Sequence, residues 1–153
     1  MRILYRYRTV FAKDVSEIKL AKGPPLKIDL HTNRKMYKRK FNLNETDKIE
    51  MARQLKVMHE ADIIESSETH WYNAPAFMVW KDRSKRLVVD LKGINSLIIP
   101  KAAVLPHIEE VIDTITSKKP RYLSILDITS AFFQLAISEE SRDYTGFTGP
   151  DGK

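Results

Sequence analysis

Two β-rich runs, AFMVW (residues 76–80) and RLVVDL (residues 86–91), stand on either side of the polar pentapeptide KDRSK. Residues of these types favour extended backbone, and so short a link returns the chain antiparallel, so the stretch predicts a β-hairpin with a five-residue loop. The tip is strongly cationic, with Lys81, Arg83, Lys85 and Arg86 close together. Charge at such a place suits an edge hairpin that uses it to avoid aggregation.

Helical periods flank the hairpin. Asn44 followed by Asp47 resembles a capping box, and Glu45 and Asp47 suit the positive end of a helix. Met51, Leu55 and Met58 then recur at spacings of four and three, which predicts a helix to about Ala61 with one apolar stripe. The methionines of that stripe read as core, and His59 has no second histidine at metal-ligand spacing. Beyond LIIPKAAVLP, Ile108, Val111, Ile112 and Ile115 fall on one face of a second helix, expected from near Pro106 to Lys118, Lys119 and Pro120. Its apolar face predicts packing against a strand in RYLSILD (residues 121–127), where Leu123, Ile125 and Asp127 share one parity.

Asp127 is the one carboxylate inside YLSILDITSAFFQLAI (residues 122–137). An ionised carboxylate at the edge of a core is costly unless it is hydrogen-bonded, paired or bound to a cation. Two forms of compensation are open: capping a short helical turn within residues 129–135, or holding a metal ion.

The remainder of the sequence limits the setting. With 153 residues and 42% hydrophobic content the chain is one ordinary domain or two small lobes with a core. It has no cysteine, so disulfides and thiolate metal sites are excluded. The opening MRILYRYRTVFAK lacks the apolar region of a secretory signal, and no run is long enough to cross a bilayer; an intracellular setting without membrane insertion is expected. The net charge of +6 is uneven: residues 1–40 hold 12 Lys and Arg against Asp14, Glu17 and Asp29, a net +9, which leaves −3 for the rest. The densest part is RKMYKRK, where Arg34, Lys35, Lys38, Arg39 and Lys40 surround one tyrosine. That pattern suits a phosphate backbone plus a stacking ring, and also suits a solvated cationic tail. Residues 1–40 show no sustained period and contain Gly23, Pro24 and Pro25, so they read as an extended lead-in with one short strand.

The blocks IIESSETHWYNAPAFMVWKDRSKRLVVDLKGIN, LPHIEEVIDTI and LSILDITSAFFQLAISEESRDYTGFTGPDGK, in that order and spacing, resemble the fingers and early palm of reverse transcriptases, most closely those of Ty3/gypsy-like long-terminal-repeat retrotransposons. The resemblance covers roughly residues 43–153. It implies an α+β fold of the right-hand polymerase kind with an incomplete palm sheet: a basic lead-in over residues 1–42, a fingers subdomain over 43–120, and the start of the palm over 121–153. It further implies that Asp127 is the first catalytic aspartate and a ligand to two magnesium ions, with the backbone carbonyl of Ile128 as an accessory ligand. Phe132 matches the steric gate beneath the nucleotide sugar, and the Ala131 backbone N–H would meet the triphosphate. Arg86 and Lys81 match fingers residues that grip the triphosphate, while Asp90 and Asn95 shape the fingers. The implied partners are an RNA or DNA template-primer and deoxynucleoside triphosphates.

The chain departs from the family pattern at several points. Lys92 stands where arginine is usual, Gly146 where alanine is more common, and Asn73, Ala74 and Pro75 replace a Ser-Pro signature. No Tyr-x-Asp-Asp turn, the source of the second carboxylate pair, occurs. One aspartate cannot hold two magnesium ions, so the chain is expected to be a polymerase fragment that is inactive alone. The competing expectation is a non-catalytic nucleic-acid-binding or interaction protein derived from a retroelement.

Overall fold

A computed structural model describes residues 2–68 and 71–152. Thr69 and His70, inside the first of the three family blocks, and Lys153 lie outside the described residues. The element order is a short helix α1 (Arg2–Arg6), strand β1 (Met36–Tyr37), helix α2 (Glu45–Glu60), strands β2 (Tyr72–Asn73), β3 (Ala76–Lys81) and β4 (Ser84–Val89), then helices α3 (Lys92–Asn95), α4 (Ile108–Lys118) and α5 (Glu139–Arg142). The fold is mixed α and β with small sheets, as the alternating helical and strand periods require.

Helix α2 begins where the capping residues stand. Asn44 Oδ1 accepts from the Asp47 N–H at 2.8 Å and from the Thr46 hydroxyl at 2.7 Å, while Asn44 Nδ2 donates to the Asp47 carboxylate at 3.0 Å. The second contact differs from a full capping box, in which the acidic side chain would reach the cap's backbone N–H. Met51 is fully buried at the centre of the stripe, with Leu55 and Met58 half-buried beside it. Complete burial of such a side chain contributes about 1.5–3 kcal/mol. Ala74, Ala76 and Ile94 are buried with Met51 among the described residues, and α2 packs against both strands of the β3–β4 hairpin.

The hairpin is antiparallel, with Met78 opposite Leu87 and Lys81 opposite Ser84. Its connection is tighter than expected: Lys81, Ser84 and Lys85 belong to the strands, and only Asp82 and Arg83 form the turn. Asp82 takes φ 55°, the left-handed conformation that lets so short a turn match the strand twist. Aspartate tolerates that region better than most residues, which is why a two-residue turn forms without glycine or asparagine.

The lead-in is docked along the body. β1 pairs in parallel with β2, Met36 opposite Tyr72 and Tyr37 opposite Asn73, and bridges join Leu30 to Ile98 and Leu26 to Ile137. The buried Asn73 side chain fastens this arrangement from both ends: its Nδ2 donates to the Lys38 carbonyl at 2.6 Å and its Oδ1 accepts from the Thr148 hydroxyl at 2.7 Å. Residues 146–148 complete the layer, since the Ala74 N–H donates to the Gly146 carbonyl at 2.9 Å. Gly146 is there for space. A Cβ at this position would lie 2.8 Å from the Tyr72 carbonyl oxygen, so Gly146→Ala is expected to push backbone apart and cost about 1–3 kcal/mol, read as a lowered melting temperature. An unchanged melting temperature would mean that the segment yields freely.

Two expectations fail in the second half. Residues 121–127 form no strand: they lie in irregular backbone with Leu123 69% and Ile125 96% exposed, so Asp127 has no core residues beside it. A strand persists only where another strand satisfies its N–H and C=O groups, and none among the described residues pairs with this segment. Helix α4 forms two residues later than expected, with His107 at its N-cap, and ends at Lys119 with φ 42° just before Pro120. Its apolar face lacks the predicted partner, leaving Ile108 73% and Ile112 52% exposed.

Candidate nucleotide and metal site

The hairpin sorts its four tip cations by function. Alternation along β4 turns Lys85 and Leu87 toward α2 and leaves Arg86 on the opposite, exposed face. Lys85 is structural: its ammonium lies 2.5 Å from the Asp47 carboxylate, both side chains are 18% exposed, and it also donates to the Thr46 hydroxyl. Lys81, Arg83 and Arg86 are exposed and make no ion pair among the described residues. Three solvent-facing cations, Lys81 at the end of β3, Arg83 in the turn and Arg86 on β4, can act together on a polyanion.

Just beyond β4, Asp90 organises the turn into α3. Its N–H donates to the Pro75 carbonyl at 2.9 Å, its Oδ1 accepts from the Lys92 N–H at 3.0 Å, and its second oxygen lies 3.9 Å from the Lys38 ammonium. Asn95 closes the same turn through its backbone, donating to the Leu91 carbonyl at 2.9 Å.

The second group of candidate residues sits on the segment after the missing strand. Ser130 takes φ 48°, and a 3₁₀ turn, Ala131–Gln134, follows, held by the Phe133 N–H to the Ser130 carbonyl at 2.9 Å and Gln134 Nε2 to the Thr129 carbonyl at 2.9 Å. Ser130 occupies the N-cap position without a side-chain bond, so Asp127 does not cap this turn. Asp127 is exposed, Ile128 is 63% exposed, Ala131 is half-buried and the Phe132 ring is 88% exposed. No hydrogen bond, ion pair or ring contact among the described residues joins Lys81 or Arg86 to Asp127, Ala131 or Phe132.

For two magnesium ions the side chains present are too few. Asp127 is a single carboxylate, and among the described residues no group of three or more His, Cys, Asp or Glu could hold a metal ion. Magnesium demands near-octahedral oxygen coordination, which one carboxylate and a neighbouring carbonyl do not provide.

The basic stretch is a strip along the body rather than a tail. The Met36 N–H donates to the Trp71 carbonyl and the Lys38 N–H to the Asn73 carbonyl, and this pairing orients the side chains. The Lys35 ammonium lies over the Trp71 ring, Lys38 faces Asp90 and the Lys40 ammonium donates to the Pro150 carbonyl. Arg34 and Arg39 are left exposed, with the Tyr37 ring 63% exposed on the same strip. Sequence reasoning assigns no role to Trp71, Asn73 or Gln54, because each role depends on which distant segment the side chain meets. No helix among the described residues is long and apolar enough to cross a membrane.

No family model matches the chain. It is similar to the retrovirus-related Pol polyprotein from transposon 412 of Drosophila melanogaster, 28% identical over 157 residues that cover 98% of this chain and 12% of that protein. It is 34% identical over 111 residues, 69% of this chain and 16% of the other, to the enzymatic polyprotein of Cauliflower mosaic virus strain CM-1841. The chain thus spans less than a fifth of the length of these relatives. Among solved structures it is similar to the prototype foamy virus protease-reverse transcriptase, with a TM-score of 0.79 and 20% identity over 99% of this chain and 20% of that one. It is also similar to a foamy viral protease-reverse transcriptase in complex with double-stranded DNA, with a TM-score of 0.74 and 18% identity over 96% of this chain and 26% of that one. The chain belongs to the retroviral and retrotransposon Pol polyprotein family, and its fold is like that of a reverse transcriptase.

Proposed function

We propose that the chain supplies the fingers (residues 43–120) and the opening of the palm (residues 121–153) of an RNA-directed DNA polymerase of the Ty3/gypsy-like kind, with residues 1–42 as a basic lead-in. The observation that carries this reading is the hairpin: its fold-building cation is paired to α2, and Lys81, Arg83 and Arg86 are left facing solvent for an anionic ligand. Nucleotidyl transfer asks little of protein beyond alignment and charge neutralisation, so cations on the triphosphate and a wall against the sugar are parts the reaction needs. Lys81 and Arg86 grip the triphosphate oxygens, the Ala131 N–H donates to them, and the Phe132 ring stands under the sugar. A bound magnesium ion would supply charge neutralisation at the phosphates. Asp127 and the Ile128 carbonyl would offer oxygens toward it, and further carboxylates would be needed to complete the coordination. Joined to the palm and thumb of a related polymerase, the chain is expected to support primer extension on an RNA template.

The second reading, a non-catalytic nucleic-acid-binding protein, is favoured by the lone carboxylate and the strip of cations on the lead-in. Both readings place a template-primer or other nucleic acid on Arg34, Lys35, Lys38, Arg39 and Lys40, and both predict the same effect of mutation there. Arg34 and Arg39 are exposed and hold no ion pair among the described residues, so replacing both by serine leaves the fold intact. Removing one phosphate contact reduces the slope of log K against log salt by about 0.9 on duplex DNA. Filter binding across a salt series is expected to give a slope shallower by about 1.8 for the double variant. Equal slopes would move the binding surface to the hairpin.

A further inference from the structure

We infer that Gln54 is a positioning residue for Arg86, its carboxamide taking the place of a missing neighbouring strand along the open edge of β4. The inference rests on the proposed reading of Arg86 as a triphosphate-gripping residue. Among the described residues β4 pairs with β3 on one side only, so on the other side the Lys85 C=O and the Leu87 N–H point away from the ladder. Gln54 Nε2 donates to the Lys85 carbonyl at 2.8 Å, and the Leu87 N–H donates to Gln54 Oε1 at 3.1 Å. One side chain thereby meets both groups in the manner of a paired peptide, bracketing Arg86, which lies between them and opposite Val79 in the ladder.

The amide cannot flip without losing these bonds. Gln54 Nε2 also donates to Glu50 Oε1 at 2.7 Å, so its nitrogen faces two acceptors and its oxygen one donor. Glu50 is held in turn by Arg53, whose Nε and Nη2 donate to its two oxygens at 2.9 and 2.7 Å. The Arg53 hydrogen bond, with that of Gln54, holds the Glu50 carboxyl down to about 2, so it remains an acceptor at any working pH. One residue along β4, the Lys85 ion pair with Asp47 ties the same edge to the start of α2. A two-stranded hairpin is by itself marginal in water, and its tip is displaced easily. Gln54 and Asp47 convert it into an arm fixed to a helix anchored by Met51, so that Arg86 is presented at a set place.

The test uses residues 1–153 with inorganic tripolyphosphate as the probe, affinity read from NMR shifts at low salt and Leu87 amide exchange followed alongside. Gln54→Leu keeps bulk and helix propensity while removing all three bonds. It is expected to speed Leu87 exchange about tenfold relative to Val88, as the loss of one hydrogen bond implies, and to weaken tripolyphosphate binding by about threefold to tenfold. Arg86→Ala weakens binding at least as much, and the double variant binds no worse than Arg86→Ala alone, because Gln54 acts through Arg86. Gln54→Met, which also keeps bulk and helix propensity and makes none of the three bonds, gives the same loss of affinity and stands in if the leucine variant does not fold. If Arg86→Ala weakens binding and neither Gln54 variant does, the positioning role is overturned and the reading of Arg86 stands. If Arg86→Ala has no effect, that reading falls and the inference with it. Additive losses in the double variant would also overturn the inference, since Gln54 would then act elsewhere.

Discussion

In a polymerase rebuilt by joining this chain to a compatible palm and thumb, Asp127→Asn is expected to reduce primer extension by about 10²–10³-fold or more, the range for loss of one preorganised electrostatic contact. The amide keeps the shape of the side chain and removes the charge that attracts a cation. The substitution also separates the two forms of compensation open to this carboxylate. Asparagine caps helices as well as aspartate does, so a capping role would leave both stability and extension nearly unchanged. The structure already places Ser130, not Asp127, at the N-cap of the following turn, and leaves Asp127 exposed. Single-turnover extension by the wild-type and Asp127→Asn forms of the rebuilt enzyme measures the effect. Full activity in the variant would remove Asp127 from the metal site.

The second large effect concerns sugar selection. Phe132 is 88% exposed on a 3₁₀ turn, so its ring is open to contact from outside the chain. A ring that covers the edge of a nucleotide sugar leaves no room for a 2′-hydroxyl, whereas valine does. Phe132→Val in the rebuilt polymerase is therefore expected to raise ribonucleotide incorporation relative to deoxynucleotide by about tenfold or more, the scale of shape discrimination in an apolar pocket. Competitive extension with each nucleotide type gives the ratio. An unchanged ratio in an active variant would assign the ring to packing against the rest of the palm.

Local patterns make part of this fold legible. Asn44, Met51, Leu55 and Met58 place α2 correctly because capping and the 3.6-residue period are local properties of the chain. The hairpin is legible for the same reason, but its turn is shorter than the sequence suggests, since nothing in the order KDRSK announces a positive φ at aspartate. Pairing between distant segments is not legible. The parallel match of Met36 with Tyr72 joins residues with no shared local signal, and it turns an apparent cationic tail into a docked strip. The strand expected over residues 121–127 fails for the complementary reason: parity describes which face a residue would occupy and says nothing of whether a neighbour exists. At the candidate site, Lys81 and Arg86 stand out by charge and position. Gln54 does not, because an amide on an amphipathic helix looks like any solvated polar residue until the edge it serves is seen.

The most direct measurement is extension of a DNA primer on an RNA template by three preparations. They are the chain alone, a related palm and thumb joined to their own fingers, and the same palm and thumb joined to residues 1–153 of this chain. The chain alone is expected to be silent, and both joined forms to extend the primer. Activity in the unjoined chain, or a silent chimera beside an active control, would contradict the assignment of this chain as the fingers and opening palm of a polymerase.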